Sequence, residues 1–241
     1  MRRCKNCDTG LEGQFCPACG QKDIDLGRPF FDLFSEAIRE AIDLDGRAWR
    51  TLKTLFLAPG RLTGEFLAGK RQTYTSPLRL YLFISVSFFV LLAWIASRGL
   101  LLEQGQTVEG DAAEQARFMS DLMPRLMFLL LPVFALLLKA VFRQRLYFDH
   151  LIHSVHLHCA AYIILAVMLP VEKLASENFA ALALQVAALV YFVVYLLLSI
   201  KRVYAISWLA AAGRSAAVLF GYLIVFSMLV EGTSSFLIIS D

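Results

Sequence analysis

Four cysteines stand within the first nineteen residues, as the pairs Cys4-x-x-Cys7 and Cys16-x-x-Cys19. A Cys-x-x-Cys knuckle turns two thiolates toward one point, so two knuckles supply the four sulfurs of a tetrahedral zinc ion. The spacer between them suffices for one hairpin, with Gly10, Gly13 and the apolar Phe15 just before the second knuckle. A rubredoxin-like iron centre or a pair of redox-active thiols would use the same residues. With all four positions filled by protein, a zinc ion held here is structural, since no coordination site remains open for catalysis. Zinc thiolates need a reducing compartment, which argues against a disulfide framework and for the cytoplasm. A knob this small folds only with its metal. Met1-Arg2-Arg3 is followed by no apolar run, so no signal peptide is expected there.

All four histidines fall in one short stretch, with Asp149 at its start: His150, His153, His156 and His158. On a helix, His150, His153 and His156 spread over one arc of roughly 120° that includes Asp149, while His158 points away. Such a face could ligate zinc or iron if another span completed the shell, or relay protons near neutral pH. Interhelical hydrogen bonding is the plainer role. His156 and His158 would lie about 10 Å inside a bilayer, where a polar group needs a partner. The metal role is weakened because no histidine exists elsewhere in the chain.

The elements that must position these groups are mostly apolar. The chain has 241 residues, 58% hydrophobic and only 18% charged, against about 25% charged in an average soluble protein. Its mean hydropathy is +0.61. That balance excludes a disordered chain, a coiled coil and a basic nucleic-acid module, so no nucleic-acid partner is expected. It predicts an all-α membrane protein with five transmembrane helices, preceded by interfacial amphipathic helices and a small N-terminal zinc ribbon. The ribbon covers 1–22, the amphipathic segment 28–75 and the transmembrane bundle 76–241. Spans of about 20 residues are expected near 77–97, 124–142, 150–170, 179–200 and 215–238. Ser76 is placed to cap the first, with Pro77 at its first helical position. Glu231 and Gly232 interrupt the fifth, which leaves a four-span arrangement open.

Within the amphipathic segment, Phe30, Phe34, Ala37, Ile38, Ala41 and Leu44 repeat at helical steps. A second helix, about 47–57, carries Trp49, Leu52 and Phe56 and stops at Pro59-Gly60. Apolar stripes with aromatic anchors and basic flanks suit the headgroup plane; packing on the protein's own spans is equally compatible.

The net charge of +3 hides a segregation. Arg47, Arg50, Lys53, Arg61, Lys70, Arg71 and Arg79 precede or open the first span. Lys139, Arg143 and Arg145 fall in one later turn, and Lys201, Arg202 and Arg214 in another. These segments hold thirteen cations together and alternate with segments holding four: Arg98, Arg117 and Arg125, diluted by Glu103, Glu109, Asp111, Glu114 and Asp121, and then Lys173. The positive-inside rule therefore places the N-terminus in the cytoplasm and the C-terminus outside. Lys70, Arg71 and Arg79 gather at the cytoplasmic headgroup level, beside Tyr74 and Tyr81. They suit anionic lipid heads or a phosphorylated ligand at about 1 kcal/mol per cation, unless they serve topology alone.

The run CPACGQK, then Pro59-Gly60, Gly69-Lys70-Arg71 and the sequence from Pro77 through Arg79 to Tyr81, resembles an uncharacterised bacterial membrane-protein family known as a domain of unknown function. The stretches DHLIHSVHLH and KRVYAISW are similar to it too, so the resemblance covers nearly the whole chain. It implies a bacterial inner-membrane protein with a cytoplasmic zinc ribbon and no established activity. The chain carries no phosphate-binding glycine loop, no His-Glu-x-x-His and no Gly-x-Ser-x-Gly elbow. Two functions stand out. The first is a non-enzymatic interaction or scaffold protein whose ribbon docks a cytoplasmic partner. The second is a metal-dependent membrane enzyme or small transporter using Asp149, His150, His156 and His158.

Overall fold

The computed structural model of the protein describes residues 3–11, 13–23, 47–97, 122–171 and 178–240. The expected helix through Phe30 and Leu44 lies outside the described residues, as do Arg98, Arg117 and Lys173. Among the described residues, seven α-helices follow a small knob: α1 (Ala48–Leu57), α2 (Arg61–Leu67), α3 (Pro77–Ser97), α4 (Met123–Val141), α5 (Tyr147–Met168), α6 (Phe179–Tyr204) and α7 (Trp208–Ser240). A 3-10 turn, Leu169–Val171, ends α5. Among the described residues the only strand-like pairings are two isolated bridges, both in the knob. Helices α3 to α7 are each long and apolar enough to cross a membrane.

Chemistry at the helix ends decides where they start and stop. Asn178 caps α6 by accepting from the Ala180 amide at 2.9 Å. Ala205, in the left-handed region at φ 52°, closes the other end. Ser76 does not cap α3 with its side chain: its carbonyl accepts from Leu80 at 3.0 Å, while its buried hydroxyl makes no hydrogen bond. Pro77, which has no N–H to satisfy, opens that helix instead. Helix α7 begins at Trp208, earlier than the expected 215, and runs unbroken through Glu231 and Gly232. Its membrane-compatible part is Trp208–Leu229.

Helix α5 is the hub, packed against α3, α4, α6 and both short helices. Lipid tails are as apolar as the side chains, so close packing and interhelical hydrogen bonds must hold such a bundle together. Both are present. The Tyr162 ring of α5 stacks on Phe88 of α3 with centroids 5.1 Å apart, and meets Phe89 edge-on at 5.7 Å. Pro132 interrupts the α4 ladder. Beside it, Ser154 donates to the Leu131 carbonyl at 2.9 Å and Tyr147 to the Pro132 carbonyl at 3.2 Å.

The turns after α4 and α6 meet at one end of the bundle. Phe142 and Tyr204 lie face to face, centroids 3.7 Å apart and 4° from parallel. The Arg145 guanidinium sits over Tyr204 at 5.7 Å, and that of Arg214 over Phe142 at 5.1 Å. Lys139 donates to the carbonyls of Arg143 and Arg145 at 2.7 and 2.5 Å, closing the α4–α5 turn. Among the described Lys and Arg residues of α3 to α7 and their turns, only Arg125 sits at the opposite end.

Helices α1 and α2 form a hairpin that wedges into this same end. Of the two placements open from sequence, headgroup plane or the protein's own spans, its inner face takes the second. Thr51, Leu55, Leu62 and Thr63 are buried, and the tip rests on α5 and α6. Arg202 donates to the Pro59 carbonyl at 2.6 Å, and Tyr191 to the Phe56 carbonyl at 2.9 Å. The base of the hairpin is tied by Thr51, whose hydroxyl accepts from the Thr75 amide at 2.9 Å. Arg47 also donates to the Gln72 carbonyl at 2.8 Å. Trp49, Arg50, Lys53 and Leu57 stay exposed on the outer face.

Candidate metal centre and histidine cluster

The knob is one local design used twice. Cys4 N donates to Thr9 O at 2.8 Å and Asp8 N to Cys4 O at 2.8 Å; Cys16 N donates to Gln21 O and Gly20 N to Cys16 O, both at 2.9 Å. Each knuckle needs a left-handed residue just after its second cysteine, met by Asp8 at φ 62° and Gly20 at φ 69°. The bridges Arg3↔Gly10 and Phe15↔Lys22 repeat the same relation. Arg3 also pairs with Asp8 at 2.9 Å on the surface.

This repeat brings four sulfurs together, all within 4.8 Å of one another. Cys4 and Cys19 are 3.6 Å apart, Cys7 and Cys16 3.5 Å. A tetrahedral ion with metal–sulfur bonds of about 2.3 Å requires sulfur separations of about 3.8 Å. The observed set brackets that value. Hydrogen bonds from the Thr9 side chain and backbone pull the Cys7 thiol down to about 6, while burial pushes Cys19 up to about 12, helped by its neighbouring sulfurs. Four thiolates this close repel one another, and a central dication removes that penalty. The donor set therefore fits a thiolate-bound metal.

The knob is clamped to the chain just before α3. Gln21, buried, donates through Nε2 to the Gly69 carbonyl. Its Oε1 accepts from the amides of Arg71 at 2.8 Å and Gln72 at 3.2 Å. On the other knuckle, Thr73 donates to Asn6 Oδ1 at 2.6 Å. Gly69 is required twice over: its φ is +90°, and a Cβ there would lie 2.6 Å from the Lys5 side chain. Sequence reasoning singled out the four cysteines that converge, but not Asn6, Gln21 or Thr73. The only available signal was a short amide side chain directly after the second knuckle, facing a partner far along the chain.

The histidines do not converge on one point. His150 Nδ1 and His153 Nδ1 lie 2.8 and 3.3 Å from the Tyr204 hydroxyl of α6, and His153 Nε2 lies 2.8 Å from Ser199 Oγ. His156 Nδ1 is 2.9 Å from Thr63 Oγ1 of the hairpin. His158 turns to α7, with Nε2 3.0 Å from the Tyr222 hydroxyl and Nδ1 2.8 Å from the Ser154 carbonyl. Asp149 lies half-buried in the first turn of α5. Among the described residues, the four cysteines are the one group of three or more His, Cys, Asp or Glu ligand atoms gathered at metal-binding distance. The fifth cysteine, Cys159, is buried in α5.

The imidazoles thus tie α5 to three neighbours: His150 and His153 to α6, His156 to the hairpin and His158 to α7. Replacing His156 with alanine should lower the thermal stability of the detergent-solubilised protein by about 1–3 kcal/mol, through the lost hydrogen bond and the cavity left behind. Its metal content, measured by elemental analysis, should be unchanged. Loss of a metal ion with that variant would instead identify a ligand.

Of the basic residues singled out from sequence, Lys70 and Arg71 belong to the clamped loop and Arg79 to the first turn of α3. The Arg71 guanidinium lies 5.4 Å above the Phe66 ring. Nearby, burial pushes the Glu65 carboxyl up, but hydrogen bonds from Tyr74 and Arg61, with the charges of Arg61 and Lys70, hold it below the usual range. Arg61 Nε is 2.9 Å from that carboxylate.

Fold and site together define a helical bundle with five membrane-compatible helices, a wedged hairpin and a four-cysteine knob. Residues 45–89 match a family model described as Protein of unknown function (DUF3667). That stretch comprises α1, α2, the clamped loop and the first part of α3. No curated protein and no solved structure matches the chain.

Proposed function

We propose that the protein is a non-enzymatic interaction or scaffold protein of the bacterial inner membrane, with a structural zinc ribbon displayed on the cytoplasmic side. The convergence of the Cys4, Cys7, Cys16 and Cys19 sulfurs carries this reading. Four protein ligands fill a tetrahedral shell, so the ion organises the knob and performs no chemistry. Gln21 and Asn6 face the 69–73 loop, whereas Phe15 is 59% exposed and offers an aromatic contact to a cytoplasmic partner. Lys70, Arg71 and Arg79 add charge attraction for anionic lipid heads or a phosphorylated ligand. The alternative role for Asp149, His150, His156 and His158, a metal-dependent enzyme or transporter, is the weaker one because hydroxyl and carbonyl partners already engage the imidazoles.

Orientation is supported by the cations gathered at the knob end, the end the positive-inside rule assigns to the cytoplasm. It is tested with reporters fused in separate chains to Met1 and to Asp241, one active only in the cytoplasm and one only outside it. The expected result is a cytoplasmic N-terminus and an external C-terminus. A cytoplasmic signal at Asp241 would overturn the five-span arrangement.

A further inference from the structure

The contacts of the knob run in one direction, from the sulfurs through the clamped loop to the hairpin and on to the buried histidines. Gln21 directly follows the left-handed Gly20 of the second knuckle, and its backbone carbonyl is the acceptor that folds Cys16 into place. Its side chain meanwhile engages one carbonyl and two amides of residues 69–72. Asn6 lies between Cys4 and Cys7 and takes the Thr73 hydroxyl. Both clamp residues are thus positioned by knuckles whose geometry depends on four sulfurs sharing one centre. The clamped loop in turn holds α1 through Arg47–Gln72 and Thr51–Thr75. The far end of the hairpin places Thr63 on His156, and Gly60 against the Ser199 backbone.

We propose that the ribbon is a metal-dependent latch: metal in the four-cysteine knob holds the 69–73 loop through Gln21 and Asn6, and so sets how the α1–α2 hairpin seats on α5 and α6. This rests on the metal reading given above. A knob that unfolds without its ion cannot present Gln21 and Asn6 together, and the loop then loses the acceptor for the Gln72 amide. By linkage, whatever weakens the clamp also weakens metal binding by the same factor.

Hydrogen exchange of the full-length protein in nanodiscs tests the latch, because the Arg71 and Gln72 amides report the Gln21 contact directly. Three samples are compared: the metal-loaded chain, the chain stripped by a chelator under reducing conditions, and the metal-loaded Asn6→Ala/Gln21→Ala double variant. The latch predicts roughly tenfold faster exchange of the 69–76 and α1 amides in the second and third samples, with α3 and α5 unchanged. The double variant should also bind zinc more weakly in competition with a chromophoric chelator. A chain that binds zinc but whose loop exchanges alike with and without it overturns the latch alone. A full-length chain that binds no metal overturns the metal reading and the latch together.

Discussion

Replacing Gly60 with alanine is expected to cost about 3 kcal/mol, one of the largest losses from any single-methyl change in this chain. Gly60 has φ +75°, where an L side chain costs about 1–2 kcal/mol. The added Cβ would also sit 2.8 Å from the Ser199 carbonyl oxygen, 3.0 Å from its Cα and 3.2 Å from the Val203 side chain. Two of those atoms are backbone of α6 and cannot swing aside, so the hairpin must lift off the helix. Lifting it strains the Thr63–His156 and Arg202–Pro59 hydrogen bonds as well.

Gly64, one turn further along the same hairpin, is the matched control. It is exposed, and a Cβ there meets nothing within 4 Å. Gly64→Ala removes helix-interior flexibility and should stabilise by up to about 1 kcal/mol. Thermal unfolding in detergent should therefore fall by about 6 °C or more for Gly60→Ala and rise by about 2 °C for Gly64→Ala. Equal melting temperatures for Gly60→Ala and the native chain would show that the hairpin is not seated on α6.

The sequence made some of this plain for a physical reason. Metal-ligand spacing is local, because each Cys-x-x-Cys pair is short enough to fix its own geometry, so the Cys4 to Cys19 knob is legible without a fold. The spans are legible because apolar length is a one-dimensional property. Contacts distant in sequence are not. An amphipathic stripe such as that of Trp49, Leu52 and Phe56 has the same period whether it faces lipid heads or protein. Pro59-Gly60 reads as a helix stop, and the helix does end at Leu57; that the same pair is the tip of a wedge against α6 is not legible. The histidine spacing gave a shared arc, but the hydroxyls of Thr63, Ser199, Tyr204 and Tyr222 that divide the four rings among three neighbours carry no signal of their own.

The second large effect is expected at the knob. Cys4→Ser/Cys16→Ser removes one sulfur from each knuckle, taking both members of the buried pair. Hydroxyls are poor replacements for thiolates, so the remaining two sulfurs cannot hold a tetrahedral ion tightly. Binding free energy is folding free energy in a knob of this size, and structural zinc sites are worth about 10–16 kcal/mol at pH 7. Loss of the ion therefore unfolds the knob outright. The bundle should stay intact, because α5 packs against α3, α4 and α6, and α7 against α4 and α6, without the ribbon. Circular dichroism should accordingly retain the helical signal.

Elemental analysis of the full-length protein, purified under reducing conditions without added metal, tests the central claim most directly. One zinc ion per chain is the predicted result, falling to none in Cys4→Ser/Cys16→Ser and unchanged in His156→Ala. A native chain that carries no metal, or a zinc ion that survives the loss of Cys4 and Cys16, would contradict it.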